Sequence, residues 1–473
     1  MNKTDSRMHF IPDKTLKLRL IWSIFLIMFG HLLFAVHYFF NMDAVHFFCV
    51  SIICITVVFW PSYLFSPLSV LFGYYGLWYL LPLLFAEKYQ NMDFPLETIT
   101  LAAWMLFTTL TISAFTLFAA EQIIHRKVAL ELIDRPVGER LGPQHWLMNA
   151  KILMFLLLLV CLLAVVGLVR ATGGIQPWID DPGQTFLRRE GGGVFSILLM
   201  FSSMLFALVA GHIAQNSRVI STYVFASLVL IALSPFLGGK MQNFLSFFFL
   251  MAPTVFESKP RSKLLIWTSV LFLVTFFAGI YARNFTWITP GELISYSLNY
   301  FSTFELLVIS LKDFDPSWFN TVFLPFNKFL SPFGIREDVF YDMSAWLTSI
   351  YYPENWEIRA TEQWPIETDL YMSFYFVFGL PFVVLYMLAT QYAFSKAISV
   401  RSLGWIFVGC HMSFSLMSHL RGGLILWNDL YTYPAYLLAL LALRNFYVPE
   451  SQGQVATAPN VLDGSHVSAP KSM

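Results

Sequence analysis

The feature that most restricts this chain is the recurrence of long apolar runs. They cover residues 20–40, 44–60, 63–86, 99–120, 152–169 and 194–214, then 219–237, 241–256, 264–281, 370–393, 403–417 and 424–443. Roughly 20 apolar residues in a helix cross about 30 Å of hydrocarbon, and a helix satisfies every backbone N–H and C=O without water. The runs therefore predict an all-α, polytopic membrane protein with about 12 transmembrane helices. Those at 241–256 and 403–417 are short for a span, and a tilted or re-entrant element fits them equally well.

Composition agrees. Hydrophobic residues make up 57%, aromatic residues 18% and charged residues 12% of the chain. A soluble domain carries about 25% charge, and half that leaves too little polar surface to face water. The formal net charge of +0 offers no basic face to nucleic acid. Cys49, Cys54, Cys161 and Cys410 each fall inside an apolar run without CxxC spacing, so they read as small buried hydrophobes. The basic start leads into a run too long for the apolar part of a cleaved signal, which reads as a first span.

Charge sets the orientation. With the N-terminus in the cytoplasm, the inner loops collect Arg126, Lys127, Arg135, Arg140, Arg218, Lys259, Arg261, Lys263, Lys396, Arg401 and Arg444, as the positive-inside tendency requires. The expected organisation is a cytoplasmic segment at 1–19, nine helices over 20–283, a large periplasmic loop at 284–368 and three helices over 369–444. A polar tail at 445–473 is expected to be disordered and cytoplasmic. Within the loop, 291–311 reads as an amphipathic interfacial helix. Pro325, Pro332, Pro353 and Pro365 cut the remainder into short pieces.

Six cations fall at the outer boundary, where orientation does not call for them: Arg170, Arg188, Arg189, Lys240, Arg283 and Arg421. A charge at the membrane centre costs about 2.5–3.5 kcal/mol on insertion scales and less at the boundary, where a long side chain snorkels. Each one alone therefore reads as an anchor. Together they suit a phosphate. Three of the clusters carry adjacent glycines (Gly191 to Gly193, Gly238 with Gly239, Gly422 with Gly423) that let backbone N–H groups approach an anion. Arginine grips phosphate oxygens through paired hydrogen bonds.

Glu357, Glu362, Glu367, Asp369 and His419 fall near the same face and supply candidate bases for deprotonating a sugar hydroxyl. The loop aromatics Trp318, Trp346, Tyr351, Tyr352, Trp356 and Trp364 suit an interfacial belt or stacking on sugar rings. Asp313 and Asp315 have the DxD form that holds a metal in nucleotide-sugar enzymes, yet they fall where nucleotide sugars are not supplied. No metal site and no cofactor are expected.

The pattern resembles the O-antigen polymerase and oligosaccharide repeat unit polymerase family. The resemblance spans most of the chain in architecture. Locally it rests on Ser66-Pro67-Leu68-Ser69 followed by Gly73-Tyr74-Tyr75-Gly76-Leu77, and on Leu237-Gly238-Gly239-Lys240 entering a short span. It rests also on the large outer loop, on Glu367-Thr368 leading to Phe378-Gly379-Leu380, and on Arg421-Gly422. Lys240 stands where the family commonly has Arg, and Gln242 where Gly is usual; a lysine neutralises phosphate without a bidentate fork.

The resemblance implies a GT-C-like, metal-independent glycosyltransferase of the bacterial inner membrane. It would act on undecaprenyl-pyrophosphate-linked glycans at the periplasmic face, with membrane lipids around it and a chain-length regulator and a flippase as further partners. It implies that Arg188, Arg189, Lys240, Arg283 and Arg421 bind pyrophosphate or glycan, and that His419 or Glu367 serves the acceptor hydroxyl. Two other expectations stay open: an O-antigen ligase-type transferase, and a lipid-linked sugar transporter or flippase.

Overall fold

The computed structural model of the chain describes residues 13–40, 44–61, 63, 65–85, 94–133, 143–187, 191–217, 220–238, 240–256, 270, 303–330, 333–334, 340–357 and 361–448. Arg188, Arg189 and Arg283 lie outside the described residues, as do nearly all of the expected span at 264–281 and most of the expected helix at 291–311.

The described chain is helical throughout, apart from isolated bridges between Trp318 and Phe374 and between Ser402 and Tyr447. The elements begin with α1 (Asp13–Phe40), α2 (Ala44–Val58) and α3 (Pro67–Tyr75), which continues through a π-helix (Gly76–Leu80) into α4 (Leu81–Phe85). Next come α5 (Leu96–Ile133), α6 (Pro143–Ala171), the short α7 (Gln176–Asp180) and α8 (Pro182–Leu187), then α9 (Gly193–Ser217), α10 (Ile220–Leu237) and α11 (Lys240–Val255). The long loop contributes α12 (Phe304–Asp313), α13 (Met343–Tyr351) and α14 (Ile366–Phe374). The chain closes with α15 (Leu380–Val400), α16 (Leu403–Leu420) and α17 (Asp429–Ala442).

Among the described residues six stretches are long and apolar enough to cross a membrane: Pro67–Phe85, Leu96–Ile124, Met148–Ala171, Gly193–Ser217, Ile220–Leu237 and Val377–Val400. Shorter apolar helices occupy Ile21–Val36, Ala44–Val58 and Met241–Val255. Exposed side chains on α6 such as Phe155, Leu162 and Val166 are what a lipid-facing helix presents.

The expected span at 370–393 is not one helix. α14 ends where Tyr375 (φ 49°) and Phe376 (φ 62°) turn left-handed, and a 3-10 turn at Val377–Gly379 restarts the chain as α15. Left-handed backbone at two successive non-glycine residues costs roughly 1–3 kcal/mol each and persists only where packing enforces it. Phe376 is held against Trp104 of α5, with ring centroids 5.6 Å apart, and Gly379 has no room for a Cβ beside Leu370. The first residues of the expected tail at 445–473 are ordered against the helices. Leu403 N–H donates to the Phe446 carbonyl (2.8 Å) and Val448 N–H to the Arg401 carbonyl (3.0 Å), so residues 446–448 pack back on the bundle.

Among the described residues two large apolar clusters hold the bundle, and α15 and α16 belong to both. One joins α1, α2, α3, α5, α12 and α14 with Val383, Met387, Leu416 and Leu420; the other joins α6, α9, α10, α11 and α17 with the remaining parts of α15 and α16. Ring pairs fix the relative directions: Phe244 and Phe248 meet Phe414, and Phe249 meets Phe407, so α11 and α16 run antiparallel. Ser203 lies 3.2 Å from Ser246, and Gly211 presses on the Leu250 carbonyl, so α9 runs parallel to α11. The start of α11 and the ends of α6 and α16 therefore share one end of the molecule.

Candidate functional site

The site grows from the segment Pro67–Phe85. The Ser66 side chain accepts the Ser69 N–H at 3.1 Å, and Pro67 occupies the first helical turn, where its missing N–H is harmless. The segment then carries Tyr74, Tyr75, Trp78 and Tyr79, all buried, across the entry to the π-helix. π-turns are rare and frequent at functional sites. Tyr74 stacks on Trp78 (centroids 5.2 Å) and meets Tyr75 and Tyr79 edge-on at 5.5 and 5.7 Å. A buried Tyr or Trp needs a partner for its polar tip, and three of these tips find theirs in the last third of the chain. Tyr74 donates to the Leu420 carbonyl (2.9 Å), Tyr75 to Glu367 Oε1 (3.4 Å) and Trp78 Nε1 to Gln363 Oε1 (2.7 Å).

Glu367 is only 1% exposed. Removing a carboxyl from water disfavours its charged form. Burial pushes Glu367 up to about 7, against hydrogen bonds from Thr109 and Tyr75 that pull it down. A carboxyl poised there can take a proton and return it. Burial likewise raises Asp369, opposed by Thr321, the Leu424 N–H and Ser373.

The Arg421 guanidinium lies over the Trp78 ring, 5.7 Å from its centroid, a cation–π placement. The Tyr74 hydroxyl feels the charges of both Glu367 and Arg421. One acid and one cation, from α14 and from the end of α16, thus face a single aromatic wall. Tyr75 lies ten residues from Phe85, roughly 15 Å at helical rise, so Glu367 and Arg421 meet the middle of this segment and not its Phe85 end.

His419 faces another way. Its Nε2 is 3.4 Å from Asp429 Oδ1, its Nδ1 is 3.3 Å from the Gly423 carbonyl, and its ring lies 4.3 Å from that of Tyr386. Both ring nitrogens are thus engaged by the turn after α16 and the start of α17, away from the Tyr75 and Glu367 contact.

The other candidates are dispersed. Arg170 is exposed at the end of α6, and Lys240 opens α11 at the same end of the molecule as Arg421. Gly238 (φ 66°) abuts the Phe186 ring with no space for a Cβ, so steric demand accounts for this glycine without a ligand. Glu357 is exposed, Glu362 accepts Asn355 Nδ2 at 2.8 Å, and Asp313 accepts the Tyr351 hydroxyl at 2.8 Å. Trp364 is core, packed with Leu306, Met343, Leu347 and Met372. The sequence reading passed over Gln363, Asp429 and the tyrosine wall as chemistry. The i, i+4 pairs 74/78 and 75/79 were the available signal, since they place four polar-tipped rings on adjoining faces.

No protein-family model, no curated protein and no solved structure matches this chain.

Proposed function

We propose that this chain is a membrane glycosyltransferase that polymerises polyprenyl-pyrophosphate-linked oligosaccharide repeat units. It works at the outer face of a bacterial inner membrane through about twelve spans of GT-C-like arrangement, with both termini cytoplasmic. The observation that carries this reading is the pairing of Glu367 and Arg421 on one buried wall of aromatic hydroxyls. In this chemistry the acceptor hydroxyl attacks the anomeric carbon of the donor glycan while the bond from that carbon to pyrophosphate breaks. Glu367 takes the hydroxyl proton, and Arg421 stabilises the charge growing on the leaving phosphate. The donor arrives activated, so no nucleotide is required. Arg170 and Lys240, with Arg188, Arg189 and Arg283 where the sequence puts them, extend the cationic field toward the lipid headgroups. Glu367 is shielded from bulk solvent, which keeps water from competing with the acceptor hydroxyl.

A knockout in the native host, complemented with Glu367→Gln, Arg421→Ala, Lys240→Ala or Arg189→Ala, tests this with the surface glycan resolved on a gel. The expected knockout product is a single repeat, restored to a ladder by the parent chain and not by well-expressed Glu367→Gln or Arg421→Ala. Long glycan accumulating on its carrier lipid would instead identify a ligase. A specific observation favours transport as the second reading. His411, buried within α16, bonds Tyr436 (2.7 Å) and Ser415 (3.1 Å), and an ionisable group inside a membrane bundle often marks a transport path. Absence of any outward-facing repeat in the knockout would establish that reading and remove the enzyme assignment.

A further inference from the structure

Asp369 stands two residues after Glu367 and is 2% exposed. Its carboxylate ties three segments together. Oδ2 accepts the backbone N–H of Leu424 at 2.8 Å, while Oδ1 accepts the Thr321 hydroxyl and, at 3.4 Å, that of Ser373. The Ser373 hydroxyl in turn accepts the backbone N–H groups of Thr321 (3.0 Å) and Val322 (3.2 Å). A buried carboxylate is expensive unless its oxygens are occupied, and this one is occupied by the loop on one side and by the turn after α16 on the other. The turn is shaped to receive it. Gly423 adopts φ 124°, and a Cβ there would stand 3.0 Å from Asp369 Oδ2.

We propose that Asp369 is a positioning residue that latches the helix bearing Glu367 to the turn bearing Arg421, fixing the spacing between acid and cation. This rests on the reading that Glu367 and Arg421 act on one substrate. Glu367 precedes the latch by two residues on a rigid helix, and Arg421 precedes Leu424 by three in a tight turn, so one carboxylate sets both. Misplacing reacting groups by about 1 Å can cost on the order of 100-fold in rate.

The test uses the full chain in the native host lacking its own copy, with Cys49, Cys54, Cys161 and Cys410 replaced by Ala. It compares D369N, G423A and the pair D369C/G423C. An ideal Cβ at Gly423 lies 3.6 Å from the Asp369 Cβ, inside the disulfide range of about 3.5–4.5 Å. Surface polymer is expected to fall at least 10-fold in D369N and in G423A at parent protein level. In the cysteine pair, a closed disulfide should give long polymer, dithiothreitol should remove it and reoxidation should restore it. A carboxylate needed for its charge would not be replaced by a disulfide, and loss of polymer on reducing the already folded cysteine pair, at unchanged protein level, separates positioning from folding.

A parental ladder in D369N overturns the latch, as does a closed pair no more active than the reduced one. A ladder left intact by Glu367→Gln and Arg421→Ala overturns the polymerase reading and this role with it. Loss in those two variants, with no rescue by the closed disulfide, overturns the latch alone.

Discussion

The two halves of the bundle bury apolar side chains by different means. In the half built on α6, α9, α10 and α11 the helices are continuous, and α9 and α10 carry no charged side chain. Its polar contacts between helices are uncharged: Cys161 to Ser202 and Ser203 to Ser246, each at 3.2 Å, and Tyr223 to Thr254 at 2.7 Å. Small residues let backbones approach, as Gly211 does against Leu250. The half built on α3, α5, α12 and α14 is interrupted by a π-helix, a left-handed break and two inserted loop helices. It holds Glu121, Glu367 and Asp369 away from solvent. Regular helices close every backbone hydrogen bond and leave little for a ligand. Broken ones free side chains and termini to converge, and Glu367, Asp369 and Arg421 sit where the regularity ends.

That contrast is sharpest at Glu367. Glu367→Gln should reduce polymer at least 100-fold while stabilising the protein above neutral pH. A carboxyl raised from its ordinary 4.5 to about 7 in the fold contributes stability below pH 4.5 that is lost as pH rises through about 7. Between pH 4.5 and pH 8 the parent should lose about 3 kcal/mol that the variant keeps, read as pH-dependent thermal unfolding in detergent. Activity of the parent should rise over the same interval, because the base must be ionised. A flat activity profile through pH 7 would remove Glu367 from the proton step.

The regular half should respond in stability alone. Gly211→Ala forces α9 away from the α11 backbone and should cost roughly 1–3 kcal/mol, seen as a lower melting temperature. Polymer length per folded molecule should stay at the parent value. If the ladder shortens in proportion, the two halves are coupled and the contrast drawn above dissolves. Tyr75→Phe is gentler, at about 0.5–1.5 kcal/mol. It deletes a hydrogen bond that holds the Glu367 carboxyl down, so the midpoint of the activity profile should move to higher pH; an unmoved midpoint would detach Tyr75 from the acid. Ser203→Ala, in the regular half, should fall below 1 kcal/mol with no shift in the profile, since a hydroxyl that donates within its own helix at 2.9 Å and meets Ser246 at 3.2 Å loses only a weak bond between helices.

The membrane helices were legible because hydropathy and length are local properties. The runs at 194–214 and 219–237 return as α9 and α10 with margins of a few residues, and the run at 99–120 returns as the first part of the longer α5. The break at Tyr375 and Phe376 was illegible because no glycine or proline marks it, and its cause is a tertiary contact with Trp104. Arg421 and Glu367 were identifiable by residue type. Their meeting on Tyr74, Tyr75 and Trp78 was not, since it depends on contacts across hundreds of residues. His419 stood out as a histidine next to an arginine, yet Asp429 and the Gly423 carbonyl that claim its ring are visible only in three dimensions.

The separation between Tyr75 and Glu367 also has a consequence in time. The two are 292 residues apart, and at about 5–20 residues per second of synthesis the tyrosine emerges on the order of 15–60 s before its acid. For that interval the ribosome has delivered α3, α5, α6, α9, α10 and α11, while Tyr74, Tyr75 and Trp78 wait for Leu420, Glu367 and Gln363. The last third of the chain is thus an assembly step as well as a sequence. A ribosome stalled before residue 366 leaves both apolar clusters without the side chains of α15 and α16 that complete them.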